Sequence, residues 1–203
     1  MITAPTIISD CYTVRAIREQ DLPAILKIYN ECILDHTTLL YYEPVDLRFI
    51  QKWYEKCRTE GYAAMAVVDK ATDEAIAYAD LGPTHPFPAF ALSTMMAIYI
   101  RSDYRRRGLG RVLVAELLNI AKQQRFKNVV VYIASTNTPS IKLFESFKFQ
   151  YVGKMDYWAY NFGRFLDGLA YQFIIPETKV DANTNSPPVF VPFAWESYVY
   201  AQQ

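Results

Sequence analysis

The chain is poor in several residue types that define whole classes of protein. Its 203 residues include three cysteines, two histidines and seven glycines. The cysteines, Cys11, Cys32 and Cys57, lack the spacing of a metal site, and their odd number means that they cannot all pair in disulfides. We therefore expect reduced thiols, a cytoplasmic protein and no bound metal.

Net charge and long apolar runs are also missing. The 21 basic and 21 acidic residues balance, so the composition gives no overall attraction to nucleic acid or to an anionic membrane. The longest apolar stretch, at 87–100, contains Pro88 and is too short and too strand-like for a membrane span. The composition therefore favours a globular protein without a nucleic-acid or membrane partner.

The most informative segment is IYIRSDYRRRGLG, at 98–110. An apolar run rich in β-branched residues indicates a strand, and the following RVLVAELLNIAKQQ has the apolar spacing of an amphipathic helix. Backbone N–H groups freed by Gly108 and Gly110, together with the helix dipole, form a cradle for phosphate oxygens. The alternative is a basic surface loop without a ligand. We predict a diphosphate-bearing ligand, surrounded by the arginines of this turn: Arg105, Arg106, Arg107 and Arg111.

Two motifs carry a resemblance to a known family. Arg105-x-x-Gly108-x-Gly110 has the form Gln/Arg-x-x-Gly-x-Gly/Ala, the acetyl-CoA pyrophosphate signature of the GNAT N-acetyltransferase superfamily. NTPSIKLFESFKF, at 137–149, resembles the second motif of that superfamily. Within it the chain is most similar to the phosphinothricin (bialaphos-resistance) acetyltransferases, through features such as Tyr-Thr-Val-Arg at 12–15. The resemblance covers about residues 12–175.

This resemblance implies an α/β protein with the GNAT acetyltransferase fold, a central mixed, splayed β-sheet flanked by helices. We expect a GNAT domain at 1–175, followed by a linker and an aromatic C-terminal extension at 176–203. The extension is interpreted as packing across the domain or a partner subunit, or else as covering the acceptor pocket. Strands are predicted at 12–16, 63–68, 74–81, 89–100, 127–134 and 163–175, and helices begin near residues 18, 47, 109 and 138.

The resemblance also implies acetyl-CoA as cosubstrate and direct attack by the amine of a small-molecule or amino-acid-like acceptor. A backbone N–H of the strand at Ile98, Tyr99 and Ile100 would stabilise the oxyanion. A homodimer is expected, because the family commonly dimerises and the aromatic extension offers surface to bury. The resemblance implies that this strand and the four arginines bind the cofactor. It implies the same role for six further residues: Gly108, Leu109, Gly110, Asn137, Ser140 and Lys142.

Two departures from the family concern catalysis. Met95 stands where the phosphinothricin group has a glutamate, and Phe144 stands where many GNAT enzymes have a tyrosine that protonates the thiolate. Histidine has the right pKa for a base, so His85, in the loop THPFPAF, is the predicted replacement, and Tyr157 is the predicted proton donor. Asp80 follows Tyr78 at strand spacing and is a further candidate base that would face the cleft; the alternative, which we favour, is a strand-end carboxylate that binds a turn amide.

Three functions remain open from the sequence. The first is an active N-acetyltransferase of a small amine or amino acid. The second is an acyl-CoA-binding module with little or no turnover, which the loss of the usual acid and base favours. The third is an acetyltransferase of protein amines. The loop at 83–90 lacks lysine and arginine, which favours an apolar or aromatic acceptor over phosphinothricin itself.

Overall fold

Strands and helices alternate along the chain, as expected for an α/β protein. The computed structural model describes residues 11–34, 41–161, 163–179 and 187–200. Within these ranges the regular elements, in chain order, are β1 (Tyr12–Ala16), α1 (Leu22–Leu34), α2 (Leu47–Glu60), β2 (Ala64–Asp69), β3 (Glu74–Pro83), β4 (Ser93–Ile100), α3 (Leu109–Gln123), β5 (Asn128–Ala134), α4 (Thr138–Ser146), β6 (Gln150–Asn161) and β7 (Arg164–Ile174).

The strands form one sheet that is divided near its middle. Their order is β1-β2-β3-β4-β5-β7-β6, and every neighbouring pair is antiparallel except β4 and β5. β4 and β5 are paired at only three positions, from Ser93 opposite Asn128 to Met95 opposite Val130. Beyond these positions the two strands diverge, and we call the gap between them the split. The predicted mixed, splayed sheet is confirmed.

Helices cover both faces of the sheet because its strands alternate apolar side chains between two cores. On one face, Ile25 and Ile28 of α1 and Ile50 of α2 pack on residues of β2 and β3. On the other face, α3 and α4 pack on β2 to β5, and α3 is buried along most of its length. The split is therefore bordered by helices on both sides of the sheet.

The predicted elements are confirmed in most of the domain, with two errors. The single strand predicted at 89–100 is wrong in its first residues, because Pro88–Phe90 forms a 3-10 turn and β4 begins at Ser93. Pro88 supplies a fixed φ that suits such a turn. The sequence analysis also missed β6, which pairs with β7 at the edge of the sheet. Two register shifts interrupt that pairing, so β6 lacks a regular alternation of apolar residues.

The aromatic extension packs on its own domain. The N–H of Phe193 donates to the Gly61 carbonyl at 2.9 Å, and the N–H of Val191 donates to the Gln124 carbonyl at 2.8 Å. The buried Gln124 side chain in turn donates to the carbonyls of Gly61, at 2.7 Å, and Val191, at 2.9 Å. These contacts lie at the C-terminal ends of α2 and α3. Because α3 has 15 residues, they are roughly 20 Å from its N-terminus.

Gly61 is required for this contact in two ways. It ends α2 with a φ of 78°, a left-handed conformation that glycine adopts without strain. A Cβ atom at this position would also lie 2.8 Å from the Cβ of Pro192 in the extension. Of the two interpretations of the extension, packing across the domain describes residues 187–200, and their contacts with Gly61 and Gln124 leave the split uncovered.

Truncation of one extension side chain tests whether the extension stabilises the domain. Phe193 is 8% exposed and belongs to the core beneath α3, so Phe193→Ala should lower the free energy of unfolding by about 3 kcal/mol. Val199 is 82% exposed, and Val199→Ala is the matched control, with little expected change. Urea unfolding followed by circular dichroism measures both. Equal stability of the two variants would contradict the packing described here.

Candidate active site

The basic loop between β4 and α3 has the backbone shape of an anion site. After β4 ends at Ile100, the chain makes a 3-10 turn, and then Arg106 and Gly108 adopt positive φ values of 60° and 82°. Left-handed residues in such a loop turn successive N–H groups towards one concave side, which binds anions. Gly108 is also the N-cap of α3, so the positive end of the helix dipole adds to this site.

The predicted arginines surround this loop, and three of them are held by neighbouring groups. Nε of Arg105 donates to the Ile100 carbonyl at 3.3 Å. Arg107 donates to the Asp103 carbonyl at 3.0 Å, and its guanidinium lies 4.6 Å from the centre of the Tyr104 ring. Arg111 donates to Oγ of Ser146 in α4 at 2.8 Å. Arg106, at the tip of the loop, is exposed.

Leu109 and Gly110 position the loop through packing. Leu109 is buried in the core. A Cβ atom at Gly110 would lie 3.1 Å from Cδ2 of Leu143 in α4 and 3.5 Å from Cδ1 of Ile100. The absence of a side chain at Gly110 therefore lets α3 approach both α4 and the end of β4 closely. This close approach holds the N-terminus of α3 against the split.

The start of α4 lies on the other side of the split. The chain enters α4 directly after β5, and Oδ1 of Asn137 caps the helix by accepting from the Ser140 N–H at 3.3 Å. Lys142 is exposed on this helix. The predicted residues Asn137, Ser140 and Lys142 are thus brought to the helix that follows β5, while the arginines lie on the loop that follows β4. The N-termini of α3 and α4 flank the split.

Main-chain groups of β4 face the split at alternate residues. The N–H of Arg101 donates to the carbonyl of Ile76, beside β4, at 3.0 Å. Because main-chain groups alternate in direction along an antiparallel strand, those of Tyr99 also point to β3, whereas those of Ile98 and Ile100 point to the split. Three residues, Ile98, Tyr99 and Ile100, are predicted to supply an oxyanion donor. Of the two whose main-chain groups point to the split, Ile98 is nearer to its apex.

Comparison with known proteins agrees with this geometry. Residues 14–169 match the acetyltransferase (GNAT) domain. An L-methionine sulfoximine/L-methionine sulfone acetyltransferase of Pseudomonas paraeruginosa is 34% identical, over 78% of this chain and 92% of its own length. The chain belongs to the GNAT acetyltransferase family. The resemblance inferred from its motifs is confirmed, and acetyl-CoA is the acetyl donor of this family.

A further relative agrees with the more specific resemblance, and a solved structure agrees with the family and its cosubstrate. A phosphinothricin N-acetyltransferase of Streptomyces coelicolor is 26% identical, over 76% of this chain and 91% of its own length. The solved structure of a Salmonella typhimurium acetyltransferase with its cofactor acetyl-CoA is 26% identical and has a TM-score of 0.79. That comparison covers 88% of this chain and 98% of the other.

The two family positions that are replaced in this GNAT protein lie at different places. Met95 is the last β4 residue paired with β5, so it lies at the apex of the split, where its side chain is 37% exposed. A thioether cannot accept a proton from an amine. Phe144 is buried in α4, with its ring 5.0 Å from that of Phe149. Neither side chain can act as an acid or a base.

His85 and Tyr157 remain predictions as catalytic residues. His85 is exposed in the loop between β3 and β4, and its ring stacks on Phe90 with the centroids 4.2 Å apart. This loop precedes β4, whereas the split opens towards the other end of that strand. Tyr157 lies on β6, which β7 separates from β5, and is 73% exposed. Its N–H donates to Oδ1 of Asp167 at 3.1 Å.

A cluster of aromatic side chains, which we call the aromatic recess, lies on the same face of the sheet as Met95, the face covered by α1 and α2. Neighbouring rings in it have centroids between 4.8 and 5.8 Å apart. All but Tyr78 are partly accessible. The recess consists of Tyr29 on α1, Phe49 and Trp53 on α2, Tyr78 on β3 and Tyr99 on β4.

Asp80 belongs to this recess and corrects one interpretation of the sequence. β3 continues to Pro83, so Asp80 lies within the strand and does not bind a turn amide at its end. Burial raises the pKa of the Asp80 carboxyl to about 7, and the nearby Trp53 indole N–H opposes this rise by favouring the charged form. The alternating pattern of AIAYADLGP places Asp80 on the same face as Tyr78, and this was the available sequence signal.

Other kinds of site receive no support from the described residues. These residues contain no cluster of histidine, cysteine, aspartate and glutamate that could bind a metal ion. Among the helices described, none combines the length and the hydropathy needed to span a bilayer. His36, interpreted from the sequence as a polar loop residue, lies outside the described ranges.

Charge reversal at the tip of the basic loop tests the diphosphate site. Arg106→Glu should weaken CoA binding about 10–100-fold, because it removes one charge-assisted phosphate contact and adds repulsion. Arg125→Glu is a closely matched control, since Arg125 is also exposed, has a φ of 63° and lies beyond the opposite end of α3. Isothermal titration calorimetry with CoA measures both. Equal CoA affinities of the two variants would contradict the placement of the diphosphate at this loop.

Proposed function

We propose that the chain is an acetyl-CoA-dependent N-acetyltransferase that acetylates the amine of a small, amino-acid-like acceptor by direct attack. The observation that carries this proposal is the split between β4 and β5, with a basic, anion-binding loop at the end of β4. The loop would hold the diphosphate of acetyl-CoA, and the main-chain groups of Ile98 and Ile100 would bind its pantetheine arm within the split. The N–H of Ile98 would stabilise the oxyanion.

The aromatic recess supports an acceptor with an apolar or aromatic side chain. It lies on the face of the sheet opposite α3 and α4, the same face as Met95 at the apex of the split. The Pseudomonas relative is named for methionine sulfoximine and methionine sulfone, whose side chains carry no net charge. The loop at 83–90 has no lysine or arginine for a phosphinate. An uncharged amino-acid side chain therefore fits better than that of phosphinothricin.

The organisation and assembly of the chain are part of the same proposal. Residues 1–175 would form the catalytic domain, and 176–203 would be an extension that stabilises the end of the domain remote from the split. In the extension Phe193 is buried against its own domain and the other aromatic side chains are partly buried there, so we assign the homodimer surface to another part of the chain. Tyr157, Tyr160 and Phe165 at the exposed β6–β7 hairpin provide such a surface. Reduced cysteines are consistent with a cytoplasmic location.

A second candidate is an acyl-CoA-binding module with little or no turnover. The observation that favours it is the methionine at the apex of the split, where the phosphinothricin group has a carboxylate. Under this alternative, CoA binding would persist while every amine failed as an acceptor. Binding and turnover must therefore be measured separately.

Thiol release from acetyl-CoA tests the proposed activity. With a panel of L-methionine sulfone, L-phenylalanine, phosphinothricin and an alanine-initiated peptide, we expect turnover with the first two. The kcat/KM for L-methionine sulfone should exceed that for phosphinothricin about tenfold or more, because the recess offers apolar contacts and no cation for the phosphinate. CoA binding without thiol release from any member would favour the second candidate. Preferred turnover of the peptide would favour a protein acetyltransferase.

Light scattering at micromolar concentration tests the homodimer, which should have about twice the 23.4 kDa chain mass. Phe165→Glu introduces a charge on the exposed hairpin and should shift the protein to monomer. Val199→Glu, at a more exposed apolar position on the extension, should leave the mass unchanged. A monomeric parent protein would rule the homodimer out.

A further inference from the structure

Asp80 is a carboxylate in an aromatic environment without a cation beside it. Within the described parts of the chain, the only side chain that stabilises its charge is the Trp53 indole, and no lysine, arginine or histidine contributes to its surroundings. A partly buried carboxylate whose only stabilising neighbour is a neutral indole is costly to the fold. Such groups are concentrated at sites that bind or transform a ligand. A positively charged ligand would supply the missing partner.

Among the described residues, the titratable neighbours of Asp80 are neutral at pH 7. Burial raises the pKa of each of these groups, and the Asp80 charge raises it further. They therefore neither compete for a cation nor supply one. Aromatic faces also attract ammonium groups, which adds to the selectivity for a cation. These groups are Tyr29 on α1, Cys57 on α2, Tyr78 on β3 and Tyr99 on β4.

Asp80 lies level with the beginning of the split. Its register partner on β4 is Ala97, and Met95 precedes Ala97 by two residues on the same face. Diagonal neighbours across an antiparallel pair are about 7–8 Å apart. Ala97, which has a small side chain, lies on β4 between Asp80 and the split, and Ile98 follows it. The Asp80 carboxylate on β3 therefore faces the region that a glutamate at position 95 of β4 would face in the phosphinothricin group.

We propose that Asp80 binds the ammonium group of the acceptor in the aromatic recess and acts as the general base of acetyl transfer, in place of the carboxylate absent at position 95. This inference rests on the proposed function. It assigns the base to β3 and leaves His85 as a loop residue stacked on Phe90. The substrate class that it selects is a primary amine carried by an apolar or aromatic group.

The proton and bond changes balance without another reactant. The Asp80 carboxylate takes one proton from the acceptor ammonium, which leaves a neutral amine. The amine nitrogen then forms a bond to the acetyl carbon while the carbon–sulfur bond breaks. The second proton leaves the nitrogen and ends on the departing thiolate, and Asp80 returns its proton to solvent. The products are the acetamide, CoA thiol and one proton.

Asp80→Asn is the decisive variant, because it keeps the size of the side chain and its capacity to accept from Trp53. With L-methionine sulfone it should lower kcat/KM about 10²–10⁴-fold, and the rise of the parent rate with pH through about 7 should disappear. Asp73→Asn, in the exposed β2–β3 turn, is the matched control. Loss of the pH dependence in His85→Ala, with the profile of Asp80→Asn unchanged, would overturn the assignment.

Amine binding gives a readout that does not require turnover. Titration of L-methionine sulfone into the protein saturated with CoA should show an affinity about tenfold or more lower in Asp80→Asn. If the parent protein binds the amine through Asp80 but releases no thiol, the proposed function fails and the ammonium site is supported. If the parent turns over and Asp80→Asn keeps both affinity and rate, the Asp80 inference alone is overturned.

Stability measurements check that the variant is folded and that the carboxyl titrates as described. Burial raises the Asp80 pKa, so between about pH 4 and pH 7 the folded chain retains a proton that the unfolded chain has lost. The stability contributed by protonated Asp80 is therefore lost as pH rises through this range. The Tm of Asp80→Asn relative to the parent should increase from pH 5 to pH 8. Carbon-13 NMR of the parent reports the same titration directly, and an aspartate set that titrates only near pH 4 would overturn the inference.

Discussion

The divergence of β4 from β5 is the constraint on which the site depends. Three paired positions hold the two strands together, and beyond Met95 the main-chain groups of Ile98 and Ile100 face the split in place of a neighbouring strand. Main-chain polar groups withdrawn from water without partners are costly. A ligand with amide groups of its own can satisfy them in the manner of a strand. Such a ligand would therefore complete the hydrogen bonding of the interrupted sheet in place of water.

Packing at a distance keeps this interruption in place. On one face of the sheet, the close approach of α3 to α4 at Gly110 and Leu143 fixes both helix N-termini beside the split. At the other end of α3, Gln124 bonds simultaneously to the end of α2 and to the extension. The described part of the extension is therefore joined, through Gln124, to the helix whose other end carries the basic loop.

Local sequence patterns predict most of the fold, because most of its strands and helices have the apolar spacing and the flanking turn residues typical of their type. The β2–β3 hairpin and the amphipathic helices α2 and α3 were predicted within a few residues, and the basic loop was recognised from its arginines and glycines. β6 escaped detection because its pairing with β7 has irregularities at Tyr151/Gly153 and Met155/Ala159. Its edge position also exposes residues on both faces, so neither alternation nor a continuous apolar run marks it as a strand.

The sequence offers Asp80 as a candidate base but favours His85, because the environment of Asp80 is assembled from distant parts of the chain. The side chains around Asp80 come from α1, α2 and β4, and a sequence does not reveal which of them meet. His85 is predicted from its ordinary pKa and its place in the 83–90 loop, whereas Asp80 acquires a pKa near neutrality only through burial. The near-neutral pKa of Asp80 is therefore a consequence of tertiary structure, and the residue type alone does not predict it.

A second carboxyl makes clear why that pKa does not by itself identify a base. Burial also raises the pKa of Glu116 to about 7, yet Glu116 is 6% exposed in the middle of α3. Its charge raises the pKa of Tyr200 in the extension, which places it on the side of α3 covered by residues 187–200. Both carboxyls reduce stability as the pH rises towards 7, but only Asp80 lies opposite Ala97 at the start of the split. Position relative to the reacting groups, and not the size of the shift, separates a functional carboxyl from one that the fold merely tolerates.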